Sequence, residues 1–592
     1  MAFFFDSHIH PSLKKQFANP VEVPVSGLPT VNPWRTTDTK EFLKALNPLV
    51  KCLLRPFVES SLASQASLTQ LTENNYKLAI LVLFAPDKGI LELIRSNKGF
   101  YDIVTNGGFG NILTKGRFDS LAGKDATDLD KIDPFSVIKN DLDLLFRENA
   151  THQKIEKLID RNFEPTDADP LHAVFAVEGL HCLRNDLKET NPDTIVGQIT
   201  TNLDSLLTSD HKIIAVNIAH TDFRNDIFAN QAYAADGYRE NGFHEDHLRP
   251  IGNGFTALGE LIVKELYSRE VLPDVKHMSW LARKQFYAFR DREFGNHGID
   301  APIVCSHAGF TGCWFDQPGE ERFVDFIVTS KNKPNSDLAA ISNEGNFQRK
   351  ITLGKPCKQL DGIGFNASTI NLFNEDIVAI FKSNGLIGLS LDQRILGYTE
   401  IIFDQIDDSP LTDNVSMNAR GLQDVNLVTD TDFISQAELK AEPLFGQVSQ
   451  NDNRVAGCVR LETFIQLHPI GGGNSTNVKD FIHPRHFYMH ILHAMQLADR
   501  IGGEVAVEKM LGQTLCIGSD LDGLIDGLEC CPDATHIGEF KNKFVQQFES
   551  YLENFNVSLP ASLPIDKVAD RLFFENGRDF VFARLDAINA LP

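Results

Sequence analysis

The chain has 592 residues, 42% of them hydrophobic and 23% charged, with a formal charge of −24. Those proportions are ordinary for a folded globular protein, and the length allows several domains or one barrel with long insertions. The acidic balance argues against a nucleic-acid partner or an anionic membrane, since both need a basic surface.

Nine cysteines without a regular framework read as free thiols of a reducing compartment, and Cys530–Cys531 lacks the companion pair of a zinc ribbon. The opening residues have no cationic segment and only a short apolar run, and no stretch approaches the ~18 apolar residues of a membrane span. The expectation is a soluble, cytoplasmic protein with no membrane partner, unless a leader has been removed. The 43 phenylalanines read as core filler.

Along the chain, eight short apolar runs alternate with stretches of helical periodicity. They are Phe3 to Phe5, Leu78 to Phe84, Ala173 to Val177, Ile213 to Ile218, Leu272 to Val275, Ile303 to Cys305, Leu386 to Leu391 and Leu515 to Ile517. Between the fourth and fifth, Thr256 to Glu270 sets Leu258, Leu261, Ile262, Val263 and Leu266 largely on one helical stripe, with Thr256 as N-cap. Such alternation predicts parallel β/α units closed into a (β/α)8 TIM barrel, an α/β fold. The excess length lies in three connections, at about 95–170, 310–365 and 395–485, rich in Asn, Asp, Gly and Lys. The chain is read as a single barrel over 1–592, its insertions shaping or covering a pocket; one insertion folding as a small domain of its own is the alternative.

Polar residues recur at the run ends. His8 and His10 follow the first, Glu178 and His181 the third, His220 the fourth, His277 the fifth, His307 the sixth, and Asp520 with Asp522 the eighth. In a strand, residues i and i+2 share a face, so both imidazoles of His8-Ile9-His10 can converge on one ion. That pair alone is weak, because roughly half an HxH match is expected by chance in such a chain. Any one of these histidines could be a hydrogen-bonded structural residue. Barrel geometry, however, sends all the C-terminal strand tips to one face, where catalytic groups gather.

The segments Phe175-Ala176-Val177-Glu178-Gly179-Leu180-His181, Gly259 to Ser279, Ile303-Val304-Cys305-Ser306-His307-Ala308 and Cys516-Ile517-Gly518-Ser519-Asp520-Leu521-Asp522-Gly523 resemble, in order and approximate spacing, the membrane (renal) dipeptidase family of the amidohydrolase superfamily. The matched stretches cover a minority of the chain. The resemblance implies a metallo-dipeptidase-like hydrolase with two zinc ions, one held by His8 and His10, the other by His277 and His307, and Glu178 bridging them. It also implies that His220 stabilises the oxyanion of a tetrahedral intermediate, and that Asp520 takes a proton from the attacking water and passes it to the leaving amine. Imidazole and carboxylate independently suit zinc, and two such ions activate water and polarise a carbonyl.

Two departures matter. The family usually has His-x-Asp on strand one, where this chain has His8-Ile9-His10, making the site less negative by one charge. The family's paired-arginine segment, which helps hold the substrate carboxylate, aligns with Ser368-Thr369-Ile370-Asn371, which has no arginine. Arg349 or Arg394 from an insertion could replace it. His483, His486, His490 and His493 follow helical spacing, and a packed helix face is the favoured reading over a second metal site. His181 reads as a partner beside Glu178, and Asp392 as either pocket-facing or a turn cap. The expected substrate is a dipeptide or similar small molecule, and a homodimer is left open. The alternatives are hydrolysis of another amide, an ester or a lactone, or a non-catalytic binding protein on the same barrel; retention of every candidate ligand favours the enzyme.

Overall fold

The structure is a computed structural model that describes residues 2–14, 32–36, 63–87, 133–149, 151–208, 210–220, 254–312, 370–396, 475–525 and 530–591, with short pieces between them. Eight strands, β1 (Phe4–Ile9), β2 (Tyr76–Leu83), β3 (His172–Val177), β4 (Ile213–Asn217), β5 (Leu272–Asp274), β6 (Val304–Ala308), β7 (Leu386–Leu389) and β8 (Leu515–Ile517), pair in parallel in chain order. A parallel bridge between Ile9 and Leu521 closes the ring, and the amides of His10 and Asp520 donate across that seam to the carbonyls of Leu521 and His8. All eight expected strands form, and the fold is the (β/α)8 barrel.

The strands are apolar because both faces are buried. One set of side chains, including Phe5, Leu78, Val174, Ile214, Val304 and Cys516, fills the barrel interior; the other set meets the surrounding helices. β1 runs further than its apolar residues suggest, through Asp6, Ser7 and His8, all buried. Asp6 and Ser7 stay in the strand because neighbouring backbone groups bond their side chains. The Ser7 hydroxyl donates to the Ser306 and Ile517 carbonyls at 2.8 and 3.0 Å. Asp6 accepts from the His8 and Ser519 amides at 3.0 and 2.9 Å. The barrel is narrow here: a Cβ on Gly388 or Gly518 would lie 1.9 Å from the Ser306 carbonyl oxygen.

Among the helices are α1 (Pro192–Leu207), α2 (Ala257–Tyr267), α3 (Trp280–Glu293), α4 (Asn374–Lys382), α5 (Ser475–Lys509), kinked at Gly502–Gly503, and α6 (Asn576–Asn589). Thr256 caps α2 as expected, accepting from the Gly259 amide. Ile262, Val263 and Leu266 are buried, whereas Leu261 is 48% exposed, because the apolar residues span a wider arc than the face that packs. Helix α6 and the turn before it plug the barrel floor. Phe574, Val581, Leu585 and Ile588 join the interior cluster, and the Asn576 side chain donates to the Leu511 and Leu515 carbonyls.

Strands Val324–Ser330, Phe347–Leu353 and Phe433–Ile434, from the second and third long connections, form an antiparallel sheet, and Glu400–Phe403 pairs with Gly457–Arg460. In the first connection, a helix at Pro134–Leu145 buries Phe135, Ile138, Leu142 and Leu145 against the barrel core. No helix among the described residues is long and apolar enough to cross a membrane. Cys182, Cys305, Cys516, Cys530 and Cys531 are buried.

Candidate metal centre

The C-terminal tips of the strands bring His8, His10, Glu178, His220, His277, His307 and Asp520 into one buried cluster. His8 and His10 converge as their i, i+2 spacing predicts, with their Nε2 atoms 3.1 Å apart. Glu178, just past β3, lies between the two sides of the ring: its Oε1 is 3.3 Å from His8 Nε2 and 3.1 Å from His277 Nε2, and its Oε2 is 3.4 Å from His10 Nε2. Asp520 approaches from β8, with Oδ1 3.4 Å from His10 Nε2.

Backbone conformation aims several of these groups. His277 has φ +68° and Asp520 φ +62°, so each side chain leaves the line of its strand. Gly179, with φ +93°, lets the chain turn sharply after Glu178. Asp274 fixes the β5 exit, its Oδ1 accepting from the Lys276 and Ser306 amides. Asp522 takes no part in the cluster: it accepts from the Gln65 and Ala66 amides and lies 3.4 Å from Lys14 Nζ, tying the loop after β8 to those before β2 and after β1.

The His277 and His307 rings, expected to share an ion, lie with their centroids 5.0 Å apart. His307 stacks on His8, ring centroids 3.9 Å apart, while His277 leans toward His220, 4.5 Å away. Three overlapping sets can each hold an ion: His8, Glu178 and His307; His8, His10 and Asp520; and Glu178, His220 and His277.

The donors fit a zinc-like metal. Donor atoms bound at about 2.0 to 2.1 Å around a tetrahedral ion lie about 3.3 to 3.4 Å apart, close to the separations among His8, His10, Glu178 and Asp520. The Nδ1 atoms of His8, His10 and His277 are buried without a hydrogen-bond partner among the described residues, so no bond there through Nδ1 accounts for these ring orientations. Burial, reinforced by neighbouring imidazole charge, pushes His277 down to about 3 and His307 well below its usual range; such rings stay neutral and keep a lone pair. Burial would raise the Glu178 carboxyl, yet His220, His8 and His10 around it hold it well below the usual carboxylate range. Burial likewise opposes charge on His10, but Glu178 and Asp520 raise it.

Access separates the cluster. The side chains of His8, His10, Glu178 and His307 are at most 5% exposed, whereas those of His277, His220 and Asp520 reach 10, 12 and 15%. The latter three therefore border what opening remains.

Two groups that the sequence did not reveal stand close by. Asp87, past β2, is fully buried and receives the His220 Nδ1–H at 2.5 Å. Lys276 is buried beside His277, and its Nζ has no hydrogen-bond partner among the described residues. Burial pushes that amine down from its ordinary range. His181, three residues past Glu178, places Nε2 2.8 Å from the Ala85 carbonyl oxygen. Asp392 is buried and begins the turn Gln393–Leu396, its carbonyl accepting from the Leu396 amide.

The helical histidines form a packed face. His490 donates from Nδ1 to the His486 carbonyl, His493 Nε2 meets Asn374 Oδ1 at 2.6 Å, and both rings lie against Phe310 and Phe365. Where the arginine segment was expected, Ile370 is buried and Asn371 is bonded to the Gly309 amide and the Ile395 carbonyl. Thr369 and the side chains of Arg349, Arg394 and His483 lie outside the described residues.

No protein-family model matches the sequence, and no curated protein does. Among solved structures, the chain is similar to a metallo peptidase from Rhodobacter sphaeroides, solved with a phosphinate mimic of the dipeptide L-Ala-D-Ala, at 11% identity over 99% of both chains with a TM-score of 0.41. It is also similar to dipeptidase AC, a metallo peptidase, at 11% identity over 90% of this chain and 95% of that one, TM-score 0.37. A third is the probable dipeptidase PvdM from Pseudomonas aeruginosa, at 12% identity over 99% and 96% of the two chains, TM-score 0.38.

Proposed function

We propose that the chain is a zinc-dependent hydrolase of dipeptides or related small amides. The observation that carries this is the convergence of five imidazoles and two carboxylates, Glu178 central, on the strand-tip face of the barrel. His8, His10 and Glu178 would hold one ion, and Glu178, His277 and His307 a second. Bound there, zinc supplies a Lewis acid and lowers the pKa of water.

The remaining steps belong to the protein. His220 presents Nε2 toward Glu178 Oε1, 3.6 Å away, where it would contact the scissile carbonyl oxygen and stabilise charge developing on it. Asp520, the most exposed of the group, would accept a proton from the attacking water on a carboxylate oxygen and return it to the leaving amine. The buried Phe84 ring, against His220 and His10, keeps bulk water from that side of the site, which strengthens these interactions.

The test is metal analysis of protein purified without chelators, with anomalous scattering, followed by a dipeptide panel. Zinc within about 2.0 to 2.2 Å of His8, His10, Glu178, His277 and His307, and hydrolysis of at least one dipeptide, are expected. No metal at these side chains would refute the reading. Metal without hydrolysis of any amide, ester or lactone would favour a binding protein on the same barrel.

A further inference from the structure

β2 is one of the strands whose tip offers no candidate ligand, yet its exit touches the site at several points. Phe84 packs against His220 with ring centroids 4.8 Å apart and against His10 at 6.4 Å. Three residues on, Asp87 places one carboxylate oxygen 2.5 Å from His220 Nδ1 and the other 3.6 Å from His181 Nδ1. His181 is itself anchored through Nε2 to the Ala85 carbonyl, in the same segment. The path from β3 permits this only because residue 179 is glycine, since a Cβ there would sit 2.5 Å from His181 Nδ1 and 3.2 Å from His220 Cβ.

We propose that Asp87 is the positioning residue of the reaction centre, committing His220 Nδ1–H to its carboxylate so that the ring meets substrate through Nε2 alone, with His181 bracing Asp87 from behind. An imidazole has two nitrogens and can rotate about its side-chain bonds. A buried carboxylate on one nitrogen fixes both the ring plane and which nitrogen carries the hydrogen. Asp87 meets the cluster at His220 Nδ1, so its effect on the site passes through that ring. This inference rests on the proposed hydrolase reading for its kinetic consequence, but the Asp87–His220 link itself does not depend on it.

The experiment uses the full-length zinc-loaded protein and the variants Asp87→Asn, Asp87→Glu, His220→Asn and the double variant Asp87→Asn/His220→Asn. Expected are unchanged zinc content in Asp87→Asn, kcat lower by about 100-fold with KM within about threefold, and partial recovery in Asp87→Glu. In the His220→Asn background, Asp87→Asn should cost less than about threefold, because a group acting through His220 has nothing left to act on. An independent readout is the downfield proton resonance of the His220 ring N–H, which should vanish in both single Asn variants. Equal losses in both backgrounds, or wild-type kcat in a folded Asp87→Asn protein, would overturn the proposal. If no substrate is turned over, the hydrolase reading fails while the proton resonance still decides the pairing; a resonance that survives Asp87→Asn overturns it.

Discussion

Gly179→Ala is the sharpest probe of how the site is built. The substitution asks an L-residue to hold φ +93°, at a cost of about 1 to 3 kcal/mol, and places a methyl 2.5 Å from His181 Nδ1 and 3.2 Å from His220 Cβ. Overpacking of that kind adds about 1 to 3 kcal/mol, so the total is about 2 to 6 kcal/mol. Relief requires His181 to move, or the turn to open and carry Glu178 with it. A displacement near 1 Å at His220 or Glu178 should lower kcat/KM by about 100-fold. The control is Gly298→Ala, at φ +71° in an open turn where a Cβ meets nothing within 4 Å, which should show the backbone cost alone and wild-type kinetics. Calorimetric melting and steady-state kinetics on both variants make the comparison. If Gly179→Ala melts and turns over like Gly298→Ala, the idea that residue 179 must be glycine for His181 and His220 to pack is wrong.

Asp520→Asn keeps the side-chain shape and removes the proton acceptor; zinc content should hold while turnover drops by about 100-fold, and loss of zinc would make Asp520 a ligand instead. The segment Ile370-Asn371 offers one apolar side chain and one internally bonded amide, so C-terminal amides of dipeptides should be cleaved at rates comparable with the free acids. A strong preference for the acids would point to Arg349 or Arg394. His490 is buried and pushed down to about 3 by desolvation, so between its unfolded value of about 6.5 and that value only the unfolded chain takes the proton. Its contribution to stability is therefore complete above about pH 6.5 and lost on acidification, by up to about 1.4 kcal/mol per pH unit. In His490→Gln the fall of the melting midpoint between pH 7 and pH 5 should be shallower than in the wild type, and an unchanged slope would refute this.

The barrel was legible because its strands are buried on both sides and so read as unbroken apolar runs, as in Leu78 to Phe84. Tip residues were legible because each follows such a run directly. What escaped has a physical cause in each case. β1 continues through Asp6 and Ser7 because distant backbone groups satisfy them, and a local pattern cannot show partners some 300 to 500 residues away. Asp87 stood in Phe84-Ala85-Pro86-Asp87, four residues past the end of β2, and its only signal was a carboxylate following a buried strand at the face where the histidines gather. Lys276 was readable as part of Asp274-Val275-Lys276-His277, but its complete burial was not.

The seam between β1 and β8 has a temporal side. The backbone that fixes His8 and His10, at Ser519 to Leu521, is synthesised some 510 residues after them, and Asn576 and the helix that stops the barrel floor follow later still. At about 5 to 20 residues per second the interval is on the order of half a minute to two minutes. Throughout it the two imidazoles have only part of their eventual surroundings. Glu178, His277 and His307 emerge in the meantime, but the ring that holds them against His8 and His10 cannot close. Assembly of the centre therefore waits for β8, and its rate is governed by closure of a very long loop rather than by any local turn.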